Sequence, residues 1–337
     1  MGAVTSCFTV GDQIVRVCAD SPRVAEVLGE FYPPVAAPAD RSGVWTLTAL
    51  SGRGPSIASR NAFGVAYSVN RAGRAVKLWS TVEHDVAVTA RKVAREILLE
   101  QCEDRRYTMV HASAIWRDDA VVVFAADKRG GKTTLALRAV LEHGWRLLSN
   151  DHLILYQDDA AGGLVATSLP TPIPVKVGTF LDLEGHLPLP WDGAGVDVEA
   201  FRAMPRAERY RYDTGVYFTY RRLGQDNPVL VPLADRRVVV VFPSYGTAAS
   251  PAGVPDAVPH DQAAAELGRH VRWDWVGDRQ LNQRHLPRVE RGQAAFLADG
   301  AHLTAVLARV AEAVRWCHAG DPAAVLDALG LGTGVTR

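Results

Sequence analysis

Eight residues between an apolar run and a helical stretch constrain this chain more than any other part of it: Ala126-Asp127-Lys128-Arg129-Gly130-Gly131-Lys132-Thr133. The run Val121-Val122-Val123-Phe124 before them suits a buried strand, and Thr133 to His143 after them suits a helix closed by Gly144. A glycine-rich loop entering a helix presents unpaired backbone N–H groups, and the positive end of the helix dipole, to any anion lying in it. Gly130 and Gly131 let the backbone approach such an anion with no Cβ in between.

The spacing, a small residue, four of any kind and then Gly-Lys-Thr, fits a phosphate-binding loop. Lys132 then reaches the β and γ phosphates of a nucleotide, Thr133 offers its hydroxyl to Mg²⁺, and Ala126 to Gly131 with Thr134 complete the cradle. The plain alternative is a strand-to-helix turn. Against it stand the Thr133-Thr134 pair and the scarcity of lysine, since only five of the 37 basic residues are lysines. Two positions depart from the commonest form: Ala126 replaces Gly, and Arg129, where many loops carry a small residue, either points outward or adds charge near the terminal phosphate.

Two further residues point to the same place. Asp151 ends the strand expected after the loop helix, so its carboxylate falls beside the phosphates, as a metal ligand or as the base for an acceptor proton. His111 lies on a strand that turns back at Arg117-Asp118-Asp119 against the loop strand, near enough to assist as a cation or donor, or to orient the base. A turn aspartate and a core histidine are the plain readings of these two.

Val110-His111-Ala112-Ser113-Ala114, Ala125 to Leu135, and His143-Gly144-Trp145-Arg146-Leu147-Leu148-Ser149-Asn150-Asp151 together resemble the C-terminal kinase domain of the HPr kinase/phosphorylase family, and more closely the HPr-kinase-related proteins of natural-product and peptide-modification settings. The resemblance implies an α/β P-loop kinase domain similar to the C-terminal fold of phosphoenolpyruvate carboxykinase, preceded by a small α+β domain. It implies ATP and Mg²⁺ as cofactors, phosphorylation of a Ser or Thr hydroxyl, and an active site containing His111, Lys132 and Asp151. Where the family has two adjacent acids this chain has Asn150-Asp151, so Asp151 takes over the base or the chain is no phosphotransferase. No counterpart is found of the segment that HPr kinases use to grip their protein substrate. Pro172-Ile173-Pro174-Val175-Lys176-Val177-Gly178 resembles a segment of the related proteins and makes Lys176, with Asn150, a candidate substrate contact.

The expected division is 1–105 and 106–337. In the first part Val15 and Val17 read as a strand, Ser21-Pro22 opens a helix, Val44 to Leu50 alternates as a strand, and Ser80 with Glu83 forms a capping box for a helix with Val86, Ala90, Val93 and Ile97 inside. In the second, Val238 to Phe242 reads as a strand and Ala301 to Trp316 as a helix. From Phe201 to Arg222, six arginines face only Glu208 and Asp213, with tyrosines interleaved; the segment either closes over an anionic substrate or is an exposed amphipathic surface.

Acidic and basic residues balance at 37 each, which argues for neither nucleic acid nor a membrane as partner, and self-association stays open. Four dispersed cysteines make no disulfide framework, no apolar run spans a bilayer, and a reducing cytoplasm is the simplest compartment. Met1 to Ser6 fits the short N-myristoylation pattern, a eukaryotic signal in a composition that reads as bacterial. The histidines lack zinc-site spacing, and no GxSxG elbow occurs. The reading is an ATP-dependent kinase acting on a Ser/Thr peptide or a small hydroxylated molecule. A nucleotide-binding regulatory or scaffold protein with a degenerate centre, suggested by Ala126, Arg129 and Asn150, is the alternative.

Overall fold

A computed structural model describes residues 4–40, 43–191, 196–226, 229–246, 253–274, 284–286 and 291–332. They form mixed α/β structure in two compact units, one of Met1–Arg106 with Asp226–Pro228 and Trp273–Gln293, the other of Tyr107–Gln225, Val229–Arg272 and Ala294–Arg337. The described residues 273–274, 284–286 and 291–293, which a division at residue 105 leaves in the second part, thus group with the first.

In the first unit a seven-stranded sheet has three parallel strands at its centre, Gln13–Ala19, Trp45–Ser51 and Ala75–Ser80. Alternation puts Val15, Val17, Leu47, Ala49, Val76 and Leu78 on the buried face. Helices Pro22–Gly29 and Glu83–Asp104 cover it, burying Val24, Val27 and Leu28 from one and Val86, Ala90, Val93 and Ile97 from the other. Ser21 caps the first helix by accepting the Arg23 N–H at 3.0 Å, with Pro22 next. The expected capping box does not form. The long helix starts at Glu83 with no side-chain cap, Ser80 Oγ accepts the Val82 N–H, and the Glu83 carboxylate takes the Ser21 hydroxyl.

Glu96 of the long helix explains why the distant segment joins this unit. One of its oxygens accepts the backbone N–H groups of both His285 and Leu286 at 2.8 Å, and the other meets His285 Nδ1 at 2.7 Å. Glu96 and His285 are almost wholly buried, and Arg291 adds a paired contact to Glu103.

The second unit is built on a nine-stranded mixed sheet. Its middle strand, Thr108–Trp116, runs antiparallel to the loop strand Ala120–Ala125, which is followed by two parallel neighbours, Arg237–Tyr245 and then Ala311–His318. One face packs Val122, Phe124, Val239 and Val241 against the helices Lys132–His143, Val177–Leu183 and Ala323–Ala328. The other packs Val121, Val123, Val238 and Val240 against His260–Arg269 and Gln293–Val310. No described helix is long and apolar enough to cross a membrane, and all four cysteines are free.

The tail corrects the expectation of one helix from Ala301 to Trp316. The helix stops at Val310, and Ala311–His318 is a strand in parallel register with Val238–Tyr245. Ala311, Ala313 and Val314 continue the helical spacing, so local pattern extends the helix, whereas the open edge of the buried strand beside it selects the extended form.

Removing Glu96 leaves a buried ring nitrogen and two buried N–H groups without their acceptor. Glu96→Ala is expected to cost about 3–5 kcal/mol in urea unfolding, and a loss below about 1 kcal/mol would show that other contacts hold the segment.

Candidate functional site

The middle strand changes neighbours at Ala112. From Ala112 to Trp116 it pairs with the loop strand, which ends with Ala125 opposite Ala112. Before that point the place of the loop strand is taken by residues 270–272: the His111 N–H donates to the His270 carbonyl at 2.8 Å, and the Arg272 N–H to the Met109 carbonyl at 2.9 Å. On the opposite side Arg146–Ser149 gives way to His152–Asp158, with His152 in register with His111. The glycine loop leaves the sheet at this crossing, next to His111, His270 and Arg272.

The loop itself is compact. A Cβ on Gly130 would lie 2.5 Å from that of Ala126, so the alanine at the first loop position is accommodated because Gly130 has no side chain. Gly131 adopts φ +87°, and a Cβ there would lie 2.5 Å from the His318 ring. Arg129 also has a positive φ, +74°, an uncommon backbone state for a residue with a side chain.

Lys132 opens the helix and folds back over the loop, donating from Nζ to the carbonyls of Ala126 at 2.7 Å and Asp127 at 3.3 Å. Burial pushes its ammonium below the ordinary lysine value, while Asp151 and then Asp127 draw it back up. Thr133 is half-buried in the first helical turn. Thr134 is buried with its hydroxyl 2.8 Å from that of Thr179, so of the two threonines Thr133 is the one whose hydroxyl suits a metal.

His111 and Asp151 come together, Nε2 to Oδ1, at 3.0 Å. A register shift between Leu147 and Ser149 and a bend at Asn150-Asp151 take Asp151 out of strand alternation and turn it to His111. Arg272 approaches His111 Nδ1 at 3.3 Å. Since a guanidinium can only donate, Nδ1 accepts and the ring proton sits on Nε2, aimed at the carboxylate. Burial raises the Asp151 carboxyl, but the His111 hydrogen bond and the attraction of His111, His152 and Lys132 outweigh it, leaving the group below the usual carboxylate range. Asp151 is therefore ionised near neutral pH.

Asn150 is buried beside this pair. Its N–H donates to the Tyr220 hydroxyl at 3.0 Å, its carbonyl accepts from Ser113 Oγ, and both polar atoms of its side chain lack partners. Lys176 lies on the ribbon of Ile173–Lys176 and Gly215–Phe218, and its Nζ is 2.8 Å from Asp213. Two of the six arginines in the basic segment are held by acids outside it: Arg202 pairs with Glu184 and Glu199, and Arg206 with Asp182.

The parallel strands add two residues that local sequence does not mark. Tyr245 and His318 end adjacent strands at the edge where the loop begins, with ring centroids 4.4 Å apart. His318 is fully buried; Nδ1 accepts the Gly320 N–H at 2.9 Å, so Nε2 donates to the Gly130 carbonyl at 3.1 Å. His270, Arg272 and His318 reach the loop only through sheet topology, from well over a hundred residues away.

No protein-family model matches the chain, and no curated protein matches it in sequence.

Burial lowers the His318 pKa below its ordinary 6.5, despite the opposing bond to Gly130, and burial lowers His270 in the same sense. The unfolded chain therefore takes up these protons first as pH falls, so stability is full above about pH 6.5 and declines below it. Thermal unfolding is expected to hold its midpoint from pH 8 to 7 and lose it from about pH 6.5 downward. His318→Gln, which can still donate to Gly130, should flatten that decline; a slope equal to the parent chain would exclude His318 as its source.

Proposed function

We propose that this chain is an ATP-dependent phosphotransferase of the HPr-kinase-like class, moving the γ-phosphoryl group to a hydroxyl acceptor. The observation that carries the reading is the hydrogen-bonded His111–Asp151 pair next to the end of the loop strand, with the Asp151 charge acting on buried Lys132. A glycine turn that only joined strand to helix would need neither the buried lysine nor an oriented carboxylate beside it.

In this reading Lys132 exchanges the Ala126 and Asp127 carbonyls for phosphate oxygens, joined by the N–H groups of the loop and first helical turn. The Thr133 hydroxyl and Asp151 carboxylate are hard oxygen donors that would hold Mg²⁺, which would supply neutralisation of the phosphate charge. Both ring nitrogens of His111 are engaged, by Arg272 and Asp151, so His111 orients the carboxylate and does not itself accept the substrate proton. The acceptor oxygen forms its bond to the γ-phosphorus as the bond to the β-phosphate oxygen breaks. The hydroxyl proton passes to Asp151, and the electron pair stays on ADP near Lys132.

A second reading, a nucleotide-binding regulatory protein, is favoured by Asn150, which places an uncharged side chain where the kinases it resembles carry an acid. It differs in binding ATP without turning it over.

Calorimetry with ATP-Mg²⁺ is expected to show at least a tenfold loss of affinity in Lys132→Ala, about 1.4 kcal/mol or more; unchanged affinity would sink both readings. With γ-labelled ATP and a panel of Ser/Thr peptides and hydroxylated metabolites, product mass names the acceptor. Asp151→Asn should then keep nucleotide binding and lower transfer by about 10²–10⁴. Full transfer in that variant would remove Asp151 from the chemistry, and no transfer by the parent chain to any acceptor would favour the regulatory reading.

A further inference from the structure

The cations of the loop face two ways. Lys132 turns inward onto backbone carbonyls, whereas Lys128 and Arg129 turn outward and meet a different part of the chain. Lys128 Nζ lies 2.7 Å from Asp213 Oδ2, Lys176 Nζ 2.8 Å from Asp213 Oδ1, and the Arg129 guanidinium 3.9 Å from the same oxygen. Arg129 also donates to the Arg211 carbonyl at 3.2 Å. Three cations from two separate elements thus converge on one carboxylate that is half exposed, 53%. In a chain with five lysines, three of them, Lys128, Lys132 and Lys176, gather around this loop, and Lys176 lies close enough to Lys132 to oppose its charge.

One carboxylate leaves this group two positive charges in excess. Ion pairs this exposed are weak, so fold stability is a poor reason to hold three cations together. A phosphate monoester dianion matches the group better, with more charge and three acceptor oxygens for donors arriving from different directions. The ribbon at Lys176–Gly215 and the bond from the Val177 N–H to the Thr214 carbonyl fix the chain just after Asp213, while Asp213 itself lies in an exposed, non-regular stretch. The carboxylate can therefore leave without the ribbon coming apart.

We propose that Lys128, Arg129 and Lys176 form an oxyanion clamp for a phosphate dianion and that Asp213 holds its place in the free chain. The clamp rests on the phosphotransferase reading for its purpose, though not for its existence. The dianion comes either from the terminal phosphoryl group of the nucleotide or from a phosphate already on the acceptor, and recognition is the same chemistry for both.

The test titrates the full chain and its Asp213→Asn and Lys176→Ala variants with inorganic phosphate, followed by calorimetry or amide shifts, without nucleotide and with a saturating non-hydrolysable ATP analogue. Asp213→Asn removes the internal competitor and should tighten phosphate binding about 3- to 10-fold. Lys176→Ala should weaken it, and the double variant should lose the gain. Phosphate that still binds beside the ATP analogue assigns the clamp to the acceptor; phosphate displaced by it assigns the clamp to the terminal phosphoryl group. If Asp213→Asn leaves phosphate affinity unchanged or lower, or if Lys176→Ala has no effect, the clamp is overturned. A chain that fails to bind the analogue refutes the kinase reading alone, because the nucleotide-free titration still reads the clamp.

Discussion

The exchange of partners along Thr108–Trp116 governs what the second unit can place at its site. A strand has two edges, and each backbone group buried there needs a partner. When the loop strand stops at Ala125, the edge from Met109 to His111 would be left open, and residues 270–272 fill it. The loop is thereby released from the sheet while a second segment brings His270 and Arg272 beside it. On the other edge the replacement of Arg146–Ser149 by His152–Asp158 makes the bend that presents Asp151. Loop, imidazole and carboxylate meet because both edges change hands at the same level of one strand.

That arrangement was legible where it is local and illegible where it is topological. The loop strand, the helix from Lys132, the Gly144 turn with φ +71° and the strand to Ser149 follow from apolar periodicity and glycine placement within about forty residues. His111 and Asp151 could be brought near the loop from the same stretch, since a hairpin and one helical crossover fix their positions. Asn150 could be named but not understood, because the hydroxyl that accepts its backbone N–H belongs to Tyr220, 70 positions away. His318 was hidden by a tail whose alanines and valines fit a helix as well as a strand. Asp213 read as one of two acids in a basic segment; its three cations come from Lys128, Arg129 and a lysine 37 residues away in sequence.

The first unit shows the same split. Ser21-Pro22 announces its helix from sequence alone, whereas Glu83 could serve Ser80 or Ser21, and the fold brings Ser21 to it. Glu96 sits on the inner face of a long helix, where a lone acid has no local explanation. Its partners are two backbone N–H groups and a ring nitrogen about 190 positions away, which no spacing rule can reach.

The electrostatics of the loop argue that ligand binding there is an exchange of partners. Lys132 cannot stay buried as a bare cation, and the carbonyls of Ala126 and Asp127 with the nearby Asp151 charge supply what water would have supplied. The outward cations are exposed, and the Asp213 carboxylate meets them at little cost in solvation. An incoming phosphate must therefore do better than neutral carbonyls inside and better than one carboxylate outside. It does so by carrying more charge than either, and the net affinity is the difference between those two sets of contacts. The inner partners lie where the buried loop strand gives way to the loop and the outer one in an exposed, non-regular stretch, so the inner exchange is a shift of the Lys132 side chain and the outer one a departure of the Asp213 carboxylate.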